Sequence, residues 1–279
     1  MEKREFSLYI TATPIGNMRD ITLRALDIFK EVDFILCEDT RQTVKLLNYY
    51  EIKKPLVSYH KFNEAKSVEG IIEKLSSGQR AALVCDAGTP LISDPGQILI
   101  KALIDSGISF CVLPGASALL PSVIMSGFST SQFCFAGFLP SKKGERTAKL
   151  NEYILSAFPV VLYVAPHELK YVLSEIEEIS PQSPLCLNKE LTKLYEDSYR
   201  GSASQIIEML PENIKGEYTL VIGPKLDEDE QKDFSEDELR SMFDELILKG
   251  LDRKGALASL SKKTGIKRNA LYSLLFVEE

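Results

Sequence analysis

Tryptophan is absent from this chain of 279 residues, histidine occurs only as His60 and His167, and the five cysteines (Cys37, Cys85, Cys111, Cys134 and Cys186) form no CxxC pair. The two histidines stand at no metal-ligand spacing, and an odd, scattered set of thiols fits neither a disulfide framework nor a structural zinc site. The cysteines read as small core residues, and no metal is expected. Long apolar runs are missing as well. Nothing approaches the roughly 18 uninterrupted apolar residues of a membrane span. Met1-Glu2-Lys3-Arg4-Glu5 passes straight into a strand-like segment instead of the apolar region of a signal peptide. A cytoplasmic protein without membrane attachment is the expectation. The sequence also lacks GKS or GKT after a glycine-rich loop, and GxGxxG after a strand, which argues against phosphate-loop and dinucleotide enzymes. It contains no internal repeat and no low-complexity tract.

What is present is the balance of a globular protein, 44% hydrophobic and 26% charged residues, with a formal net charge of −7. That acidity is local. Residues 226–245 carry ten acids against Lys232 and Arg240, a net −8. Residues 246–279 carry seven bases (Lys249, Arg253, Lys254, Lys262, Lys263, Lys267 and Arg268) against three acids, a net +4. Phosphate attraction dominates nucleic-acid binding, so the overall charge neither requires nor excludes a polyanionic partner.

Short apolar runs rich in β-branched and aromatic residues recur at Leu8–Thr13, Phe34–Cys37, Ala81–Cys85, Phe110–Leu113, Phe133–Phe138, Val160–Val164, Leu185–Leu187 and Thr219–Ile222. They are continuous rather than alternating, as strands covered on both faces are. Between them lie segments of helical period, including Thr22–Lys30, Val68–Leu75, Ile98–Asp105, Thr147–Ala157 and Leu169–Ile179. The alternation predicts an α/β protein with largely parallel sheets. We divide it into an N-terminal α/β domain over 1–120, a second α/β domain over 121–225, an acidic linker over 226–238, and a helical tail over 239–279. The Leu257–Leu275 stretch has a helix-turn-helix cadence around Thr264-Gly265.

Three strand-end loops are rich in small and turn-forming residues. The first is Thr13-Pro14-Ile15-Gly16-Asn17. The second, Cys85-Asp86-Ala87-Gly88-Thr89-Pro90-Leu91-Ile92-Ser93-Asp94-Pro95-Gly96, is longer than a strand-to-helix connection requires. In it Asp86 is a strand-end carboxylate, Ala87 and Gly88 let a ligand approach the backbone, and Asp94-Pro95 reads as a helix cap followed by proline at the first helical position. The third is Leu113-Pro114-Gly115-Ala116-Ser117-Ala118. Ligands of open α/β sheets gather at the carboxyl ends of strands, so together the loops form a plausible pocket for one extended organic molecule.

These loops, with Cys37-Glu38-Asp39-Thr40-Arg41, Gly137-Phe138-Leu139-Pro140 and Lys189-Glu190-Leu191-Thr192-Lys193, resemble in order and spacing the bacterial 16S ribosomal RNA (cytidine-2′-O)-methyltransferases, a family of the tetrapyrrole methylase superfamily. The resemblance runs from Leu8 to Lys267-Arg268-Asn269-Ala270-Leu271-Tyr272. It implies two α/β domains of the tetrapyrrole methylase type with S-adenosyl-L-methionine in the cleft between them, a small C-terminal helical extension, and usually a homodimer. The substrate would be a cytidine ribose of 16S rRNA in the small ribosomal subunit. Carried over by position, the cofactor meets Pro14 and Gly16, then Ala87, Gly88, Thr89 and Ile92, then Ser117 and Ala118, with Val164 closing the pocket from the second domain. Three departures stand out. The family's Tyr-Glu-Ser-Pro-His-Arg is here Tyr163-Val164-Ala165-Pro166-His167-Glu168, its Ala-Arg-Glu-Leu-Thr-Lys is Asn188-Lys189-Glu190-Leu191-Thr192-Lys193, and Cys85 replaces a usual serine.

Methyl transfer to a 2′-hydroxyl is an in-line displacement in which positioning does much of the work. A base for the hydroxyl proton and a cation for the developing alkoxide complete it. Asp39, Glu190 and Lys193 are the candidates. In the tail, Lys262, Lys263, Lys267 and Arg268 flank the turn and are candidate phosphate contacts. Two other functions stay open on the residues: a tetrapyrrole C-methyltransferase of the same fold, and a non-catalytic nucleic-acid-binding regulator that uses the tail.

Overall fold

The computed structural model describes residues 5–225, 235–264, 266 and 268–276. The chain divides after Pro224 into two compact units.

The first unit holds two five-stranded sheets. Sheet one has the order β3-β2-β4-β1-β5, from β1 (Leu8–Thr11), β2 (Phe34–Cys37), β3 (Leu56–Ser58), β4 (Ala81–Leu83) and β5 (Phe110–Leu113). Every pairing in it is parallel. Successive side chains alternate between the faces. Tyr9, Ile35 and Ala82 meet Phe29 of α1 (Leu23–Glu31) and Leu47 of α2 (Thr40–Tyr49). Leu8, Ile10, Leu36 and Leu83 meet Ile71 of α3 (Glu64–Ser76) and Leu99 and Leu103 of α4 (Gln97–Asp105). Two covered faces explain the unbroken apolar runs. The parallel direction brings the carboxyl ends of all five strands to one edge.

Sheet two has the order β6-β7-β10-β8-β9, from β6 (Cys134–Phe138), β7 (Val160–Val164), β8 (Leu185–Lys189), β9 (Asp197–Gly201) and β10 (Tyr218–Ile222). Only β6 and β7 are parallel; β10 runs antiparallel to both β7 and β8, and β9 antiparallel to β8. The expectation of largely parallel sheets is corrected here. The short segment 190–196 between β8 and β9 cannot span a parallel crossover, which takes a dozen or more residues. The strands nonetheless read as continuous apolar runs because this sheet too is covered twice. One face meets α6 (Lys143–Ile154), α7 (Leu169–Ile179) and α8 (Ala203–Met209), and the other meets Val123 of α5 (Leu119–Ser126). Helix α5 spans the point where we divided the two α/β domains and packs with the second sheet. Cys37, Cys85 and Cys186 are buried, whereas Cys134 on edge strand β6 is exposed and is no core residue.

The second unit is helical: α9 (Glu236–Leu248), α10 (Arg253–Thr264) and α11 (Arg268–Phe276), around Leu239, Phe243, Ala256, Leu260, Leu271 and Leu275. Ser235 caps α9 with a reciprocal capping box to Glu238. The last acids of the expected linker, Glu236, Asp237 and Glu238, therefore form a helical first turn, where negative charge suits the helix dipole; residues 226–234 lie outside the described residues. Among the described residues no helix is long and apolar enough to cross a membrane, and no cluster of three or more His, Cys, Asp or Glu could hold a metal ion.

Candidate active site

The three strand-end loops of sheet one are bonded into a single floor. Thr13 and Gly88 exchange backbone hydrogen bonds, each 2.9 Å, and Thr13 Oγ1 donates to the Cys85 carbonyl at 3.1 Å. Thr89 Oγ1 donates to the Ala116 carbonyl at 3.0 Å, which ties the second loop to the third. Gly115 backs onto Ala12 so closely that a Cβ there would stand 2.7 Å from the Ala12 methyl. Gly88, at φ +83°, turns the second loop in a conformation that a side chain would strain. Leu91 and Ser93 also have left-handed φ values, both +71°. The loop thus keeps turning past the expected helix start. Helix α4 begins at Gln97 behind Gly96, so the reading of Asp94-Pro95 as cap and first helical residue is corrected. Asp94 is free to face a cavity instead.

That cavity, of about 400 Å³, lies between this floor and the carboxyl end of β7 with neighbouring loops of sheet two. Its size is within the range of small-molecule sites. Ala87, Gly88, Thr89, Ile92, Ser117, Ala118 and Val164 all line it. Pro14 and Gly16 do not; Ile15 between them does. Gly16 instead lies against Thr192 and Lys193, and the Asn17 N–H donates to Thr192 Oγ1 at 3.0 Å. Tyr163 and Asn188 enter the wall from sheet two, facing Ser117 and Ala118 of the third loop. The small, backbone-exposing floor and the space above it fit an extended, partly flat cofactor.

The candidate catalytic residues fall in two places. Asp39 caps α2: its carboxylate accepts the Arg41 N–H at 2.8 Å and the Arg41 guanidinium at 2.6 Å. Those Arg41 bonds hold its pKa down to about 2. Asp39 is not on the cavity wall, but its own N–H donates at 3.1 Å to Asp86, which is. Glu190 and Lys193 pair at 2.9 Å, and Lys193 Nζ reaches Glu217 of the wall at the same distance. The Glu217 N–H returns a 2.8 Å bond to Glu190. Burial works against charge on both partners, yet the hydrogen bonds prevail, keeping Glu190 below the ordinary carboxyl range and Lys193 above the ordinary amine range.

Sequence reasoning passed over Asp94, Tyr163, Asn188 and Glu217 as wall residues. Asp94 had a signal, a carboxylate inside an over-long loop. Glu217 had none, because only the fold brings the segment before β10 beside Lys193. In the second unit, Arg268 opens α11 and is exposed, and Lys262 and Lys263 belong to the end of α10. The side chains of Lys262 and Lys263, and the whole of Lys267, lie outside the described residues.

Residues 7–207 match the family model of the tetrapyrrole (corrin/porphyrin) methylases. The chain is 41% identical over 269 residues to the ribosomal RNA small subunit methyltransferase I of Synechocystis sp., covering 96% of each chain. It is 40% identical to the protein of that name from Bacillus subtilis, covering 98% of this chain and 94% of that one. A third, from Mycoplasmopsis pulmonis, is 44% identical over 215 residues, which make up 77% of this chain and 96% of its own. Among solved structures, the methyltransferase CobJ superposes with a TM-score of 0.59 at 17% identity, covering 79% of this chain and 95% of that one. Uroporphyrin-III C-methyltransferase from Thermus thermophilus, complexed with S-adenosyl homocysteine, superposes at 0.56 with 15% identity, covering 77% and 96%.

Proposed function

The chain belongs to the tetrapyrrole methylase family, and within it we propose that it is the enzyme that methylates the 2′-hydroxyl of one cytidine ribose in 16S rRNA, cytidine 1402 in conventional numbering. It is an S-adenosyl-L-methionine-dependent methyltransferase, as relatives of about its own length are named for ribosomal RNA methylation. The observation that carries the reading is the cavity floor, in which Ala87, Gly88, Thr89, Ser117 and Ala118 are the small or backbone-exposing positions of three mutually bonded loops.

These residues, with Ile92 and Val164, are the ones we assign to hold the cofactor; Pro14 and Gly16 shape the first loop so that Ile15 reaches the wall. When bound, the cofactor supplies an electrophilic methyl group on a sulfonium sulfur. The chain's own task is to place the ribose hydroxyl in line and to manage charge. Lys193, held at the rim by Glu190 and Glu217, is the cation for the developing alkoxide. Glu190 keeps that ammonium oriented. Asp39 acts from outside the wall, through its N–H bond to Asp86. The helical unit, through Lys262, Lys263, Lys267 and Arg268, grips the RNA of the small subunit. The working form is a homodimer in the cytoplasm, and the exposed pair Leu120 and Ile124, one turn apart on α5, is apolar surface available to a second copy.

The test is methyl transfer from labelled S-adenosyl-L-methionine to small ribosomal subunits that lack the modification, followed by nucleoside digestion and mass spectrometry. Labelled 2′-O-methylcytidine is expected. Label on another nucleoside, or on a base carbon, would refute the assignment.

A further inference from the structure

We infer that Asp86 and Asp94 make the cavity select the sulfonium form of the cofactor over its demethylated product. The inference rests on the reading of this cavity as the S-adenosyl-L-methionine site. The charged side chains among its lining residues are Asp86, Asp94 and Glu217; no Lys, Arg or His is among them. Glu217 is answered at the rim by Lys193, 2.9 Å away. The other two have no such answer.

Asp86 accepts a single backbone N–H, from Asp39 at 3.1 Å. The cation beside it, Arg41, is engaged in a fork on Asp39, with 86% of its side chain exposed. Asp94 has the neutral Cys85 thiol beside it, a weak donor that turns to the Ala87 and Gly88 carbonyls at 3.3 and 3.4 Å, and Asp86 near it as a second anion. Glu38, at the end of β2, adds a third carboxyl that feels both. Burial pushes Asp86, Asp94 and Glu38 all above the ordinary carboxyl range, and each is raised further by an anionic neighbour. Like charges, partly desolvated and with no cation among the lining residues apart from the rim, make a wall that a cationic ligand stabilises.

The reaction changes one charge on the ligand. The methyl carbon leaves sulfur, which keeps the bonding pair; the ribose oxygen forms the new bond to carbon and releases its proton to solvent water. Sulfur passes from a cation to a neutral thioether, while the ammonium and carboxylate of the amino-acid end are unchanged. Wall anions therefore hold the methyl donor more tightly than what is left of it, and product release becomes easier once transfer is done.

Isothermal titration of the full chain with S-adenosyl-L-methionine and with S-adenosyl-L-homocysteine, for wild type, Asp94→Asn and Asp86→Asn, tests this. Asp94→Asn is expected to weaken the sulfonium ligand about tenfold, the order of one charge interaction in a site of intermediate polarity, and to leave the thioether ligand within about twofold. Asp86→Asn should act in the same direction and less, because Arg41 already offsets part of its charge. Retained thioether binding certifies the fold of each variant, and if Asp94→Asn fails that check the Asp86→Asn ratio decides. Equal weakening of both ligands, or an unchanged ratio, overturns the inference. A wild-type protein that binds neither ligand would instead refute the reading of the cavity.

Discussion

Gly16, in the loop after β1, lies so close to Lys193 that a methyl on its Cα would overlap Lys193 Cγ; it would also stand 2.7 Å from Thr192 Oγ1 and 3.1 Å from the Leu191 carbonyl oxygen. Here the first sheet's loops touch the second's, beside the wall residues Ile15 and Leu191. Gly16→Ala forces that seam apart. Overpacking of this kind costs about 1–3 kcal/mol, and here the strain falls on cavity shape. We expect cofactor affinity, read by calorimetry, to fall about tenfold while the thermal transition stays cooperative. An unchanged affinity would mean that the seam yields without disturbing the wall.

A second contact sets an acid limit on the fold. Arg146 and Glu175 pair at 2.6 Å with side-chain exposures of 13% and 9%, and Arg146 Nε also reaches both Glu175 oxygens. The Arg146 hydrogen bonds hold the Glu175 carboxyl below its ordinary value. A carboxyl depressed in the folded state contributes stability that is full above its unfolded pKa of about 4.3 and is lost as pH falls through the folded value. Glu175→Gln leaves a buried guanidinium without its anion, a change that typically costs about 3–5 kcal/mol. Urea unfolding should give the largest difference between wild type and variant at neutral pH, and a shrinking one below about pH 4. A difference that is constant with pH would show that the ion pair is not its source.

Particular residues show what was legible in the sequence. Strands such as Phe34–Cys37 and Val160–Val164 were readable because two-sided burial leaves an unbroken apolar run. The same signal misled on direction in sheet two, since double coverage looks alike in parallel and antiparallel strands. Edge strands β3 and β9 escaped notice: Leu56–Ser58 is short and half-buried, and Asp197–Gly201 is polar along its length. The cavity floor was legible because strand-end turn chemistry is local. Of the opposite wall only Val164 was legible, through the family resemblance; Asn188 and Glu217 meet the floor only through the folding of sheet two.

Lys193 and Asp39 differ in what their loss should do. Lys193 Nζ bridges Glu190 and the wall residue Glu217. Lys193→Met removes the cation, and removing one charge-stabilising donor typically lowers turnover about a hundredfold or more. Asp39→Asn keeps a good helix cap and loses only the fork to Arg41. We expect single-turnover methylation to fall at least about a hundredfold for Lys193→Met and less than about tenfold for Asp39→Asn, with cofactor affinity little changed in both. The reverse order would place the proton acceptor at Asp39.

The helical unit should govern grip and leave chemistry alone. The family match ends at residue 207, ahead of this unit. The Mycoplasmopsis pulmonis relative matches 215 residues of this chain over 96% of its own length, so that protein carries the same name with little chain beyond them. Helices α9, α10 and α11 share one core, so a cut at residue 246 would divide it. Charge removal in the full chain is the cleaner test. With Lys262, Lys263, Lys267 and Arg268 all replaced by Gln, affinity for small subunits should drop and its dependence on salt should flatten. For single-stranded RNA the log–log slope changes by about 0.7 for each phosphate that the protein no longer neutralises. Turnover at saturating subunit and binding of S-adenosyl-L-methionine should stay as they are. A salt slope equal to the wild type's would mean that these cations face solvent, and that RNA is held by the first unit alone.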